Sequence, residues 1–286
     1  MAGVRADRAD AVKRQEKRAT LDQPDRSANK KNWRRVVRLP TSYPLATCLV
    51  FVLVVSLFFL AFPGVDVWVS SLFYKEPKGF YLRNYAFFKQ IRDLGSFAVV
   101  AVVVWLLAHL LLKLARPERP SYVPPGVTLF LLSTLIAGPL LLVNIILKNN
   151  WGRPRPVMVD VFGGDSPYVE VWRITDYCQT NCSFVSGETA SAFWLMALAL
   201  VVPRRFRVAT AIVTGLYAAL LSFNRILFGG HFLSDVLLSM GLTLMVVVIG
   251  YRLFILHPPD WLANERLEGG LTRIGERLHG RRRSDA

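Results

Sequence analysis

Ser222-Phe223-Asn224-Arg225-Ile226-Leu227-Phe228-Gly229-Gly230-His231-Phe232-Leu233-Ser234-Asp235 places one arginine, one histidine and one aspartate in an otherwise apolar neighbourhood. Each is costly beside hydrocarbon unless it is paired or faces water, so the cluster reads as a site. The residues around it decide the fold. About 208–223 and 232–256 are apolar runs of membrane-crossing character, which makes this stretch the turn between two spans.

The rest of the chain repeats the pattern. Of 286 residues 53% are hydrophobic and the mean hydropathy is +0.35, too apolar for an ordinary soluble domain of this size. Further apolar runs lie at about 43–62, 96–114, 127–147 and 186–202, giving an all-α, six-helix transmembrane bundle. Gly138-Pro139 predicts a kink in the third span. Basic residues fix its orientation. Lys30, Lys31, Arg34, Arg35 and Arg38 precede the first span, Lys113, Arg116 and Arg119 follow the second, and Arg204, Arg205 and Arg207 follow the fourth. By the positive-inside rule these connections and both termini are cytoplasmic.

Three segments follow: a basic cytoplasmic tail over 1–40, too poor in apolar groups to fold alone, a transmembrane domain over 41–257, and a basic tail over 258–286. The first apolar run starts too late for a signal peptide, so the basic tail is expected to be retained. The aromatic-rich segment 63–95 is expected to lie on the outer interface, with an ordinary loop the alternative. In the last segment Leu267, Leu271, Ile274 and Leu278 recur at helical spacing, which fits an interfacial helix on anionic lipid or a solvated tail. The net charge of +15 sits in tails and connections as topology signals and no nucleic-acid module accompanies it, so nucleic acid is not an expected partner. Three cysteines exclude a disulfide scaffold, and no Cys/His spacing suggests zinc.

The connection after the third span, about 148–184, is expected outside and yet carries Lys148, Arg153, Arg155 and Arg173. Cations on that side need another reason, and an anion supplies it. The topology gathers Lys148 and Arg155, Ser186-Gly187-Glu188, and Arg225, His231 and Asp235 at the same outer depth.

Taken together these stretches resemble the type 2 phosphatidic acid phosphatases, whose signature is K-x6-R-P, then P-S-G-H, then S-R-x5-H-x3-D. Lys148-Asn149-Asn150-Trp151-Gly152-Arg153-Pro154-Arg155-Pro156 matches the first part in full. Asn224 to Asp235 matches the third except that Asn224 stands where serine is usual. In the second, Val185-Ser186-Gly187-Glu188 keeps Ser-Gly and replaces the histidine with glutamate.

Phosphoryl transfer is mainly positioning and fixed positive charge, which Lys148, Arg155 and Arg225 supply. The N–H groups of Ser186 and Gly187, at the start of a span, add an anion-binding helix terminus. His231 and Asp235 stand four apart, so in a helix the carboxylate would accept the Nδ1–H and fix the tautomer. The resemblance implies the same: His231 becomes a phosphohistidine, Asp235 orients it, and water completes hydrolysis without a metal or other cofactor. Glu188 is a candidate general acid, a base for the hydrolytic water, or a salt-bridge partner of Arg155 or Arg225. Arg153 could compete with Arg155 for the phosphate or contact a second acidic group of the substrate, but the spacing from Lys148 favours Arg155. Cys178 and Cys182 could bridge in an oxidising compartment, with free thiols the alternative.

The natural substrate is a membrane lipid phosphate, with its tails in the bilayer and its head in the cleft. The resemblance admits lipid A phosphates, phosphatidylglycerol phosphate, phosphatidic acid and polyprenyl diphosphates. The aromatic outer segment and the charged outer loop look similar to bacterial lipid A phosphatases. In a bacterial host with two membranes, spanning helices rather than alternating strands favour the inner membrane, with the site facing the periplasm. With its histidine replaced, a catalytically impaired lipid-phosphate binder is the alternative. A transporter would carry its polar residues near the midplane instead.

Overall fold

A computed structural model describes residues 43–280. The amino-terminal basic tail and Arg281-Arg282-Arg283 lie outside the described residues. Apart from residues 43–47, all that follows belongs to the second of the two units into which the chain divides, Cys48–Ala286.

The described residues are helical, with only isolated bridges. Five helices are long and apolar enough to cross a membrane: α1 (Pro44–Ala61), α3 (Ala86–Ala115), α4 (Pro125–Asn150), α6 (Arg207–Leu227) and α7 (Leu233–Leu256). Between α1 and α3 lies a short helix, α2 (Gly64–Ser71). The sixth apolar run forms α5 (Gly187–Val201), shorter than the others. The chain is therefore a helical, multi-pass membrane protein.

α5 is the axis around which the site is built. Ala190, Ala192, Phe193, Trp194 and Leu195 are buried, and the helix packs against α3, α4, α6 and α7. Trp194 donates Nε1–H to Leu131 O (3.1 Å) and lies 3.2 Å from Thr134 Oγ1, anchoring α5 to α4. α1 packs against α7, with Val52, Val55 and Phe59 in one cluster with Leu238 and Leu242.

Two helices depart from the expected boundaries for visible reasons. α3 begins at Ala86, not near Ser96, because nothing between Ala86 and Leu94 breaks a helix and Gly95 packs tightly against Leu221. Its 30 residues span about 45 Å, more than the roughly 30 Å hydrocarbon core, so whole turns extend past the apolar run. In α4 the expected disturbance at Pro139 spreads over Ile136–Leu147 as wide π-type turns. Proline supplies no N–H, and the side chain of Asn144 donates to the Pro139 carbonyl (2.7 Å).

The C-terminal segment forms α8 (Asn264–Leu278), which packs on α3 and α4. Glu268 accepts from Lys113 Nζ (2.7 Å) and from Ser121 N (2.9 Å), and Asn264 Oδ1 accepts Gly126 N–H (2.9 Å).

Candidate active site

The end of α4 delivers Lys148, and the chain then turns through Gly152, whose φ of +63° and contact with the Thr175 carbonyl leave no room for a Cβ. The carbonyls of Trp151, Gly152 and Arg153 accept N–H bonds from Thr175 (3.0 Å), Cys178 (3.1 Å) and Ser183 (2.8 Å). The first motif is thereby laced to the loop leading into α5. Cys178 and Cys182 form a disulfide with a Cα–Cα distance of 5.7 Å, closing that loop around Asn181. The Asn181 carbonyl accepts Arg155 Nε–H (2.8 Å), so the disulfide loop positions an arginine of the first motif.

His231 lies just before α7, 1% exposed, and its Nδ1 is 2.7 Å from the Ser183 carbonyl. A carbonyl only accepts, so Nδ1 carries the proton and Nε2 is the basic nitrogen. Burial holds the imidazole well below its usual pKa, and the positive charges of Arg225, Lys148 and Arg155 push it further down, against the opposing bond to Ser183. His231 is a neutral imidazole among three cations of two motifs.

The expected Asp235 bond to His231 is not there. α7 begins at Leu233, so His231 precedes the helix and the four-residue spacing does not put the two side chains on one face. Asp235 lies in the first turn and accepts Phe232 N–H (3.0 Å), Ser183 Oγ–H (2.5 Å) and Arg153 Nη1–H (2.6 Å). It reaches the histidine through Ser183, whose hydroxyl it holds and whose carbonyl meets Nδ1.

Arg153 is fully buried, which leaves it neither of the two contacts it was a candidate for, the phosphate or a second acidic group of the substrate. Its guanidinium bonds Asp235 Oδ1, Ser234 Oγ (2.9 Å), Asp66 Oδ2 (2.8 Å) and Val169 O (2.9 Å), and lies 4.5 Å over the Phe232 ring. Asp66, from α2, also accepts Ser234 N–H (2.8 Å) and the Ser234 hydroxyl. Burial raises the Asp66 pKa against the opposing pull of Arg153, while Asp235 and Asp66 lift Arg153 above its ordinary value despite burial. Burial lowers that of Arg155.

Ser186 caps α5: its Oγ accepts Thr189 N–H (3.3 Å). Its own N–H points to the Asp235 carbonyl (3.4 Å), which removes it from the expected anion donors. Gly187 opens the helix against Asn144, where a Cβ would collide with the amide. Glu188, on the same first turn, bridges two guanidiniums: Oε1 meets Arg92 (3.0 Å) and Oε2 meets Arg225 Nε (3.2 Å). Of its three expected roles, this geometry displays the salt bridge. Asn224, in the serine position of the third motif, donates to Phe88 O on α3 (2.9 Å).

Residues 126–257 match the PAP2 superfamily. Lipid A 4'-phosphatase of Rhizobium leguminosarum is 38% identical over 199 residues, 63% of this chain and 83% of that protein. That of Francisella tularensis subsp. novicida is 32% identical over 186 residues, 63% of this chain and 82% of the relative. The chain belongs to the PAP2 superfamily. A solved PAP2-type phosphatidylglycerolphosphate phosphatase from Bacillus subtilis shares the fold at a TM-score of 0.50 and 21% identity, covering 73% of this chain and 94% of that one. The PAP2 match spans α4 to α7 and leaves out α1, α2 and α3, which supply Asp66 and Arg92.

Asp66, Ser183 and Arg92 escaped the sequence reading. A lone acid within an otherwise apolar short helix was the signal for Asp66, since a charge there needs a partner. Arg92 stands among charges ahead of an apolar run, and nothing marks Ser183, whose role rests on its carbonyl.

Proposed function

We propose that this phosphoric monoester hydrolase removes a phosphate group from a membrane lipid of the lipid A class through a phosphohistidine on His231. The observation that carries the reading is the neutral His231, tethered at Nδ1 by Ser183 and set among Lys148, Arg155 and Arg225. Relatives named lipid A 4'-phosphatase, 32–38% identical, support the substrate class.

The three cations and the Gly187 N–H at the head of α5 receive the phosphate oxygens. His231 Nε2 attacks phosphorus, the bond to the lipid oxygen breaks, and that oxygen takes a proton from solvent at the mouth of the site. Nδ1–H, bonded to the Ser183 carbonyl, stabilises the imidazolium that forms. Water then attacks the phosphohistidine, its proton passes to Glu188, and the P–N bond breaks to release phosphate and free imidazole. Glu188 is placed for that role by its ion pairs with Arg92 and Arg225, which hold it beside the phosphate-binding cations. Between turnovers it holds Arg225 and Arg92 at the site. Asp235 is a positioning residue, acting through Ser183.

α1, α3, α4, α5, α6 and α7 make six crossings of a bacterial inner membrane, with both termini cytoplasmic and the site periplasmic. The short α5 crosses sheathed by its neighbours. The purified protein is incubated with lipid A, phosphatidylglycerol phosphate, phosphatidic acid and a polyprenyl diphosphate, and products are read by mass spectrometry. Loss of one phosphate from lipid A, with trapped phosphate on His231 and no turnover by His231→Ala, is the expected result. Full turnover by His231→Ala overturns the mechanism, and binding without turnover overturns the hydrolytic reading.

A further inference from the structure

Beside the site lies a cleft of about 460 Å³ lined by Arg83, Lys89, Arg92, Arg155 and Arg225, against one acidic residue, Asp93. This is more cationic charge than the reacting phosphate uses. Arg155 and Arg225 serve that phosphate, and Arg92 is paired with Glu188. Among the described residues Arg83 and Lys89 make no ion pair.

These two residues belong to a short arm, the helical turn Tyr81–Asn84 and the first turn of α3, and this arm is fastened to the site at two points. Asn224 Nδ2–H bonds the Phe88 carbonyl, which gives the serine-to-asparagine departure in the third motif a structural use. Phe80, 3% exposed, packs on Gly229 so closely that a Cβ there would lie 2.6 Å from its ring, and the Gly229 carbonyl accepts Val157 N–H (3.1 Å) beside Arg155. The arm lies outside the stretch that matches the PAP2 superfamily.

The geometry points to a second anion subsite, in which Arg83 and Lys89 bind a second phosphate of the lipid head group, one the enzyme does not remove. The two unpaired charges balance a phosphate monoester, of charge about −1.5 to −2. Arginine adds a fork for two of its oxygens, and lysine a point charge. The second acidic group expected of Arg153 thus finds its partners on the arm, since Arg153 itself is sealed inside. This inference rests on the proposed phosphatase reaction and selects, within it, for bisphosphorylated head groups.

The test compares one disaccharide lipid carrying two phosphates with the same lipid carrying one, in mixed micelles, for the parent protein, Arg83→Ala/Lys89→Ala and Arg83→Lys/Lys89→Arg. Expected is a parental preference in kcat/KM for the bisphosphorylated lipid that falls about tenfold in the alanine pair, the worth of one charge-assisted hydrogen bond, and survives in the conservative pair. A preference ratio unchanged in the alanine pair, or a parent without preference, overturns the subsite. The affinity ratio of the two lipids for His231→Ala, with and without the arm substitutions, is measured in parallel. A protein that hydrolyses neither lipid refutes the reaction, while the affinity ratio still decides the subsite.

Discussion

Arg153→Met tests whether the buried guanidinium organises the site or binds phosphate. Methionine has a similar reach and no charge, so it leaves Asp66 and Asp235 buried without their common partner and orphans Val169 O and Ser234 Oγ as acceptors of that guanidinium. Removing one partner of a buried ion pair costs about 3–5 kcal/mol, a large share of the roughly 5–15 kcal/mol that holds a domain folded. At about 2–4 °C per kcal/mol for chains of comparable size, the midpoint in detergent should fall by roughly 6–20 °C. Tryptophan fluorescence on heating reads it. Adding Asp66→Asn to Arg153→Met should recover part of the loss, because one uncompensated charge disappears; the cycle of four proteins measures that coupling. A variant that melts with the parent yet has lost phosphate affinity would refute the structural assignment and return Arg153 to the anion site.

Four further outcomes follow from the same contacts. Glu188→Gln, which weakens the hold on Arg92 and Arg225, should lower kcat by tenfold or more, about the 10²–10⁴-fold worth of a general base at its upper limit; parental phosphate release would remove Glu188 from the reaction. Cys178→Ser/Cys182→Ser frees the loop that presents Asn181 O to Arg155 and Ser183 O to His231, so kcat/KM should fall by about tenfold, roughly one hydrogen bond to a charged group, and an unchanged value refutes the coupling. The depressed His231 pKa means that the imidazole stays neutral as pH drops past 6.5 and protonates only further down. Activity as a nucleophile is then lost only on the acid side of that value, and stability falls below 6.5 because the unfolded chain binds the proton first; an acid limb in kcat/KM centred at or above 6.5 contradicts this. Ser183→Ala keeps the carbonyl but drops the hydroxyl from Asp235, which should cost about 1.5–3 kcal/mol in thermal stability, and a variant as stable as the parent argues against the Ser183 link.

What the sequence disclosed and what it withheld separate along physical lines. Apolar run length located six helical segments, and motif spacing singled out Lys148, Arg155, Arg225 and His231, whose three cations the fold brings to bear on the histidine, because hydropathy and phosphate chemistry are properties of residue types. Pairings across the fold were another matter. The Asp235–His231 bond was argued from helical spacing, but the spacing holds only inside a helix, and α7 starts two residues after His231. Arg153 and Arg155 are told apart in the string Arg-Pro-Arg-Pro only by the spacing from Lys148, and nothing there marks Arg153 as buried. Their fates diverge because Asp66, some ninety residues earlier, lies where only one of them reaches, and the other faces the Asn181 carbonyl.

That divergence also accounts for how three cations are held near a neutral histidine before any anion arrives. Lys148, Arg155 and Arg225 repel one another, and a site kept open by repulsion alone would not be preorganised for the proposed phosphate. Beneath them lies a buried layer of Asp66, Arg153 and Asp235 with a net charge of minus one, and Glu188 pairs with Arg225 from the side. Ser183 joins the layers, with its hydroxyl on Asp235 and its carbonyl on His231. The negative floor offsets the cationic rim without touching the proposed nucleophile, so His231 keeps its lone pair while the rim stays in place. Had Asp235 bonded His231 directly, the carboxylate would have raised the imidazole's affinity for a proton. Routing the contact through a neutral carbonyl fixes the tautomer and leaves the burial-lowered pKa intact.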